Sequence, residues 1–171
     1  MIQELLWWVF AALGLGGAIG MISGRNPVAS LLFLVLSFFS LAAIYVLLGA
    51  HFIGVAQVIV YAGAIMVLFM FVIMLLNLGH DYHNDVRRGA WIMAGFVSSG
   101  LIGFALSRVL GDAPATADNA APAIEASVRE LGAVGAIAQP LFREFLVPFE
   151  LTSILLLVAI IGAVMLAKRR I

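Results

Sequence analysis

The chain has 171 residues, of which 64% are hydrophobic and only 11% charged, with nine basic side chains balanced by nine acidic ones. A mean hydropathy of +1.17 lies outside the range of water-soluble domains and points to an integral membrane protein. The scattered cations form no basic face, which excludes nucleic acid as a partner. The absence of cysteine excludes disulfides, thiolate metal sites, iron–sulfur clusters and cysteine nucleophiles within this chain.

Hydrocarbon about 30 Å thick is crossed by roughly 20 residues of helix, and five apolar runs reach about that length: 5–22, 28–48, 54–76, 90–110 and 149–167. The expected fold is therefore all-α, a single membrane domain over 1–171 with five transmembrane helices. The first run opens on Glu4 rather than on Lys or Arg, and no Ala-x-Ala site precedes a soluble domain. It is expected to stay attached as a helix rather than to act as a signal peptide.

Helix two is announced by Asn26 as N-cap and Pro27 as first helical residue. The turn at 49–54 is so short that helices two and three must be antiparallel neighbours. The polar connection at 77–89 holds His80, Asp81, His83 and Asp85. Without a second ligand cluster these read as an aqueous turn, not a metal site. The fourth connection, 111–148, opens with the Ala, Pro, Asp and Thr mixture of a loop, and 124–138 within it has the pattern of a short amphipathic surface helix. Glu150, two residues after Pro148, reads as a carboxylate capping the last helix rather than as a proton carrier.

Orientation follows the cations. Arg25, Arg87, Arg88, Lys168, Arg169 and Arg170 share one side, and Arg108, Arg129 and Arg143 share the other with most of the acids. This predicts an outside N-terminus and an inside C-terminus. Small residues recur every four positions at Gly16 and Gly20, at Gly95, Ser99 and Gly103, and at Ala159, Ala163 and Ala167. Three such ladders exceed the internal needs of one small bundle and imply a subunit of a larger assembly. The glycines at 14, 16, 17 and 20 do not fit a dinucleotide-binding fingerprint, because position 19 is Ile and no strand precedes them.

The most informative stretch lies inside the charge-free interval 26–80: Gln57-Val-Ile-Val-Tyr61-Ala62-Gly63-Ala-Ile-Met-Val67-Leu-Phe69. Hydrocarbon solvates neither an amide nor a phenol, so Gln57 and Tyr61, four residues apart on one helical face, are expected to face protein or trapped water. Gly63, flanked by Ala62 and Ala64, is where a helix most readily accepts a π-bulge. Adding or removing that bulge turns everything beyond it by about 100°, which would make Val67, Leu68 and Phe69 change faces. Simple packing with one interhelical hydrogen bond is the plain alternative.

This stretch, continued through Met-Phe-Val-Ile-Met-Leu75, closely resembles the third helix of the subunit J family of bacterial NADH:quinone oxidoreductase, the counterpart of subunit 6 in mitochondrial complex I. Asn26-Pro27-Val28 and Pro148-Phe149-Glu150-Leu151-Thr152-Ser153 are similar to the same family, and the likeness covers most of the chain apart from the fourth loop. Some family members carry Glu where this chain has Gln57, so any proton-path role here is that of a neutral relay. The resemblance implies a membrane-arm subunit of a proton-pumping complex. It would lie beside the H-type quinone-site subunit, the K-type and A-type subunits and antiporter-like subunits, in the bacterial inner membrane. NADH, FMN, iron–sulfur clusters and quinone belong to the complex, with no cofactor and no metal bound by this chain. The family's third helix switches between a π-bulged and a regular form around a Tyr-Ala-Gly segment, which maps onto Tyr61, Ala62 and Gly63, with Val67 onward. The expected gating or proton-path residues are thus Gln57, Tyr61, Ala62, Gly63 and Val67, with no catalytic residue. Two other readings remain open: a purely structural bridge, and the homologous subunit of a membrane-bound hydrogenase or a multisubunit cation/proton antiporter.

Overall fold

The computed structural model describes residues 1–76, 88–111 and 116–168, and among them every regular element is helical. These are α1 (Ile2–Ser23), α2 (Pro27–Leu47), α3 (His51–Leu76), α4 (Arg88–Gly111), α5 (Thr116–Arg143) and α6 (Leu146–Ala167). Four of them, α1, α2, α3 and α6, are long and apolar enough to cross a membrane, and α4 contributes the shorter apolar stretch Met93–Val109. The histidine-containing connection, Arg87, Arg169 and Arg170 lie outside the described residues. Contacts within the chain group it into two units, Met1–Leu101 and Ile102–Ile171.

In the first unit, α1, α2 and α3 form an antiparallel row with α2 in the middle. Asn26 Oδ1 accepts a hydrogen bond from the Val28 amide at 2.9 Å, and Pro27 opens α2 where its missing N–H costs nothing. At the other end, Gly49 takes φ +78°. The Gly49 amide then donates to the Val46 carbonyl (3.1 Å) and the Ala50 amide to the Tyr45 carbonyl (2.9 Å). This is the paired closure of a Schellman motif, and it turns the chain within a few residues into α3.

Close approach of α1 to α2 depends on glycines, but not on the expected pair. A Cβ on Gly16 would meet nothing within 4 Å, whereas one on Gly17 would lie 2.8 Å from the Phe33 carbonyl oxygen and 3.0 Å from the Ser37 amide. Gly20 packs equally tightly on the Phe33 ring. The contact row therefore steps by three, from Gly17 to Gly20, and the four-step Gly16–Gly20 ladder is not the packed one. Ser37 Oγ donates to the Gly14 carbonyl at 3.0 Å, and Gln3 Nε2 donates to the Leu47 carbonyl at 2.9 Å, so the two helices are tied at both heights.

In the second unit, the connection expected as a loop is largely helix. Ala117, Ala120, Ala121, Ala123 and Ala126 favour helix strongly enough to override the turn character of the intervening Pro and Asp. The real break in α5 falls at Gly132, where φ +75° and ψ 167° interrupt the helix inside the stretch 124–138. The last helix also begins earlier than expected, at Leu146, with Pro148 still in its first turn. Glu150 is therefore in the second turn and is not a cap. Its carbonyl accepts the Ser153 hydroxyl at 2.7 Å, and the Thr152 hydroxyl bonds the Phe149 carbonyl at 2.7 Å.

The glycine contacts predict a split between neighbours. Gly17→Ala forces backbone against backbone and is expected to cost about 1–3 kcal/mol, as overpacking does, whereas Gly16→Ala is expected to match the parent. Denaturant titration of the two purified variants in detergent checks this, and equal midpoints for both would contradict the packing described.

Candidate functional site: the π-helical turn of α3

Helix α3 starts as a regular α-helix over His51–Ala56, runs as π-helix over Gln57–Ile65, and returns to α-helix over Met66–Leu76. At the end of the π stretch the Met66 amide donates to the Tyr61 carbonyl, five residues back. No proline breaks the ladder here. The stretch holds the β-branched Val58, Ile59, Val60 and Ile65, and its small side chains are confined to Ala62-Gly63-Ala64. A Cβ on Gly63 would lie 3.2 Å from the Val58 carbonyl oxygen, so even this wide turn leaves little room for a side chain there.

The residues that α3 buries record the extra residue directly. They are Gly54, Gln57, Ala62 and Met66, at intervals of three, five and four. A regular helix keeps one face by steps of three and four, and the step of five coincides with the π stretch. The row is anchored at its start, where a Cβ on Gly54 would meet Val46 Cγ2 at 2.9 Å and the Ala42 carbonyl oxygen at 3.1 Å. On α2 the facing Ala42 is buried, and so is Ser40, whose Cβ lies toward Gly14 of α1 and whose hydroxyl donates to the Leu36 carbonyl at 2.9 Å.

The five sequence-expected residues are thus divided. Gln57 is 7% and Ala62 5% exposed, both on the buried row, while Tyr61 at 49% and Val67 at 44% lie off it, and Gly63 is exposed as well. Gln57 is buried and Tyr61 half-exposed, although four residues of a π turn leave the two on neighbouring sides of the helix. The Tyr61 ring instead packs edge-on against Phe38 of α2, with centroids 5.8 Å apart and planes at 76°. Phe38 and Met66 were not marked by the sequence: each is one apolar side chain among many, and only the register singles them out.

Among the described residues, neither the Gln57 amide nor the Tyr61 hydroxyl finds a hydrogen-bond partner. The Gln57 amide atoms nonetheless keep some accessible surface, since no unpaired side-chain atom is fully enclosed. In a medium that offers no hydrogen bonds, an unpaired amide costs about 4–8 kcal/mol. Water or a neighbouring chain must therefore complete both groups. A neutral amide and a phenol can each donate and accept, so with one bridging water they could pass a proton but not store a charge.

Residues 17–166 match the family model described as NADH-ubiquinone/plastoquinone oxidoreductase chain 6. The chain is 37% identical to the NAD(P)H-quinone oxidoreductase chain 6 of Leptolyngbya boryana, over 98% of its own length and 81% of that protein. It is 32% identical to the NADH-quinone oxidoreductase subunit J of Pseudomonas aeruginosa, over 98% of both, and 30% identical to the subunit J of Escherichia coli, over 94% and 84%. The chain belongs to the chain 6 family of NADH-ubiquinone/plastoquinone oxidoreductases, and with its apolar helices it is a multi-pass membrane protein.

The anchoring of α3 yields a rescue prediction. Gly54→Ala is expected to lower stability by about 1 kcal/mol or more, and Val46→Ala added to it is expected to recover part of the loss, because Val46 Cγ2 is the nearest atom. A double-mutant cycle of unfolding midpoints reads the coupling; strictly additive effects would show that the two sites do not touch.

Proposed function

We propose that this chain is a membrane-arm subunit of a proton-translocating NADH:quinone oxidoreductase, and that α3 couples quinone reduction to proton movement by changing its register. The observation that carries this reading is the interval of five between Gln57 and Ala62 in the buried row. If Gln57–Ile65 becomes regular α-helix, the helix beyond it turns by about 100°. Tyr61 and Ile65 then replace Ala62 and Met66 in the buried row that begins at Gly54 and Gln57. Val67, Leu68 and Phe69 turn with them. The two registers orient the phenol differently about the Gln57 amide, so that a chain of waters between carboxylates of partner subunits is joined in one and cut in the other.

In this reading the chain carries five spans, α4 included, in the bacterial inner membrane, with its N-terminus outside and its C-terminus cytoplasmic. It binds no cofactor of its own, and NADH, FMN, iron–sulfur clusters and quinone are held by other subunits. Its neighbours are the H-type, K-type, A-type and antiporter-like subunits. The lack of cysteine supports a non-redox role. The membership of a family whose relatives are named as subunits and chains of quinone oxidoreductases supports the assembly. So do the open glycines of α4 and α6 and the lack of burial along α6: Gly95, Gly103 and Gly162 meet nothing within 4 Å, and no residue of α6 is buried.

The test is made in the assembled complex. Gly63→Ala places a methyl group against the Val58 carbonyl and penalises the π form; a penalty of about 1 kcal/mol changes the balance of the two forms roughly five-fold. Tyr61→Phe removes the hydroxyl and keeps the ring on Phe38. Both are expected to leave NADH oxidation largely intact while lowering the protons moved per NADH oxidised in reconstituted vesicles. If both variants assemble and pump at the parental ratio, the register-change reading fails and the chain is a structural bridge.

A further inference from the structure

Apart from α3, the clearest two-faced element is the first part of α5. On a helix of 3.6 residues per turn, Ile124, Val128 and Leu131 fall within an arc of about 60°, and Glu125, Arg129 and Glu130 occupy the opposite side. All three apolar side chains are exposed, Ile124 at 61% and Leu131 at 42%. The helix is broken immediately afterwards at Gly132, whose φ of +75° frees the segment from the direction of residues 133–145. That later stretch is short and pinned. The Glu144 and Phe145 amides both donate to the Pro140 carbonyl, at 2.8 and 3.1 Å, and the rings of Phe142 and Phe149 meet edge-on at 5.0 Å. The apolar helix α6, none of whose residues is buried, then starts at Leu146.

We propose that the segment ending at Leu131 lies in the membrane–water interface, with Ile124, Val128 and Leu131 seated among lipid acyl chains and Glu125, Arg129 and Glu130 in the headgroup layer. Tethering argues for this occupant. The residues from 132 to 145 hold Leu131 within roughly 20 Å of the first turn of α6 at the rise of a helix, so the stripe stays beside the bilayer boundary. Size argues against a protein partner, since three side chains offer far less than the ~800 Å² per partner of a stable protein interface. Charge sets the lipid class. Glu125 and Arg129 are one turn apart, of opposite sign, and Glu130 adds a second carboxylate, so the polar face has no excess of cations to select anionic headgroups. The surface fits an uncharged, zwitterionic interface.

The lack of native cysteine permits a direct measurement. Single cysteines at 124, 125, 128, 129 and 131 of the full chain, each carrying a nitroxide, are read in phosphatidylcholine vesicles for collision with oxygen and with a water-soluble nickel chelate. Ile154, exposed within α6, serves as the hydrocarbon reference. Labels at 124, 128 and 131 are expected to resemble 154, with oxygen contact severalfold above nickel contact, and labels at 125 and 129 to show the reverse. Adding phosphatidylglycerol is expected to leave the pattern unchanged. Nickel contact dominating at all five sites overturns the proposal, as does protection of 124, 128 and 131 from both reagents, which would place the stripe against protein. A pattern that appears only with phosphatidylglycerol overturns the assignment to a zwitterionic surface.

Discussion

A helix inside hydrocarbon has to pair its backbone amides and carbonyls within itself, because each one left open costs several kcal/mol. Helix α3 meets that constraint while holding one residue more per turn than an α-helix holds. Its pairing reaches five residues back at the end of the stretch, as the Met66 amide on the Tyr61 carbonyl shows, and returns to the ordinary pattern from Met66 onward. A proline kink would have left carbonyls open, and a loop would have left more. Exchange between the two patterns passes each amide from one carbonyl to the next, so few groups need be unpaired at once. A π stretch, rather than a break, therefore suits the register change proposed for α3.

The position of the stretch matters as much as its existence. Helix α2 is gripped from both sides, by the backbone contact under Gly17 on α1 and by the Gly54 contact on α3. Ser37 and Gln3 add hydrogen bonds to the α1 side. The start of α3 is thereby fixed to α2 within one turn of the Schellman closure at Gly49. The change of interval comes just after this anchor, between Gln57 and Ala62. Any exchange of register therefore turns the later half of α3 against a fixed first half, and not the reverse.

Features set by a single residue's chemistry were legible in the sequence. The Asn26–Pro27 start of α2 and the antiparallel α2–α3 pair came from capping and from turn length. The small residues Ala62, Gly63 and Ala64 were visible too, and the π stretch of the structure runs around them. Features set by register were not legible. Gly16 and Gly17 are indistinguishable in composition, and only the crossing of α1 over α2 decides which one is packed. Tyr61 follows Gln57 into the buried row only if the helix between them is regular. The fourth connection misled because Pro and Asp were weighed as turn formers while the alanines between them outnumbered them. Glu150 lost its capping position because Pro148 can sit inside a first turn as easily as before one.

The energetics of the proposed coupling favour a row of side chains over a single bond. Swinging a two-state element from one part in a hundred to ninety-nine requires a partner to favour one state by about 5.5 kcal/mol. An interhelical hydrogen bond in a membrane contributes on average only about 0.6 kcal/mol, so the Gln57 amide and Tyr61 hydroxyl cannot supply that difference. A register change, however, also re-aims Val67, Leu68 and Phe69, all exposed on the isolated chain. Their packing against a neighbouring helix is gained or lost together, and in lipid it is packing, not escape from water, that holds helices to one another. In the proposed coupling the polar pair sets what the two states do with a proton, and the apolar row beyond Gly63 sets which state the neighbours select.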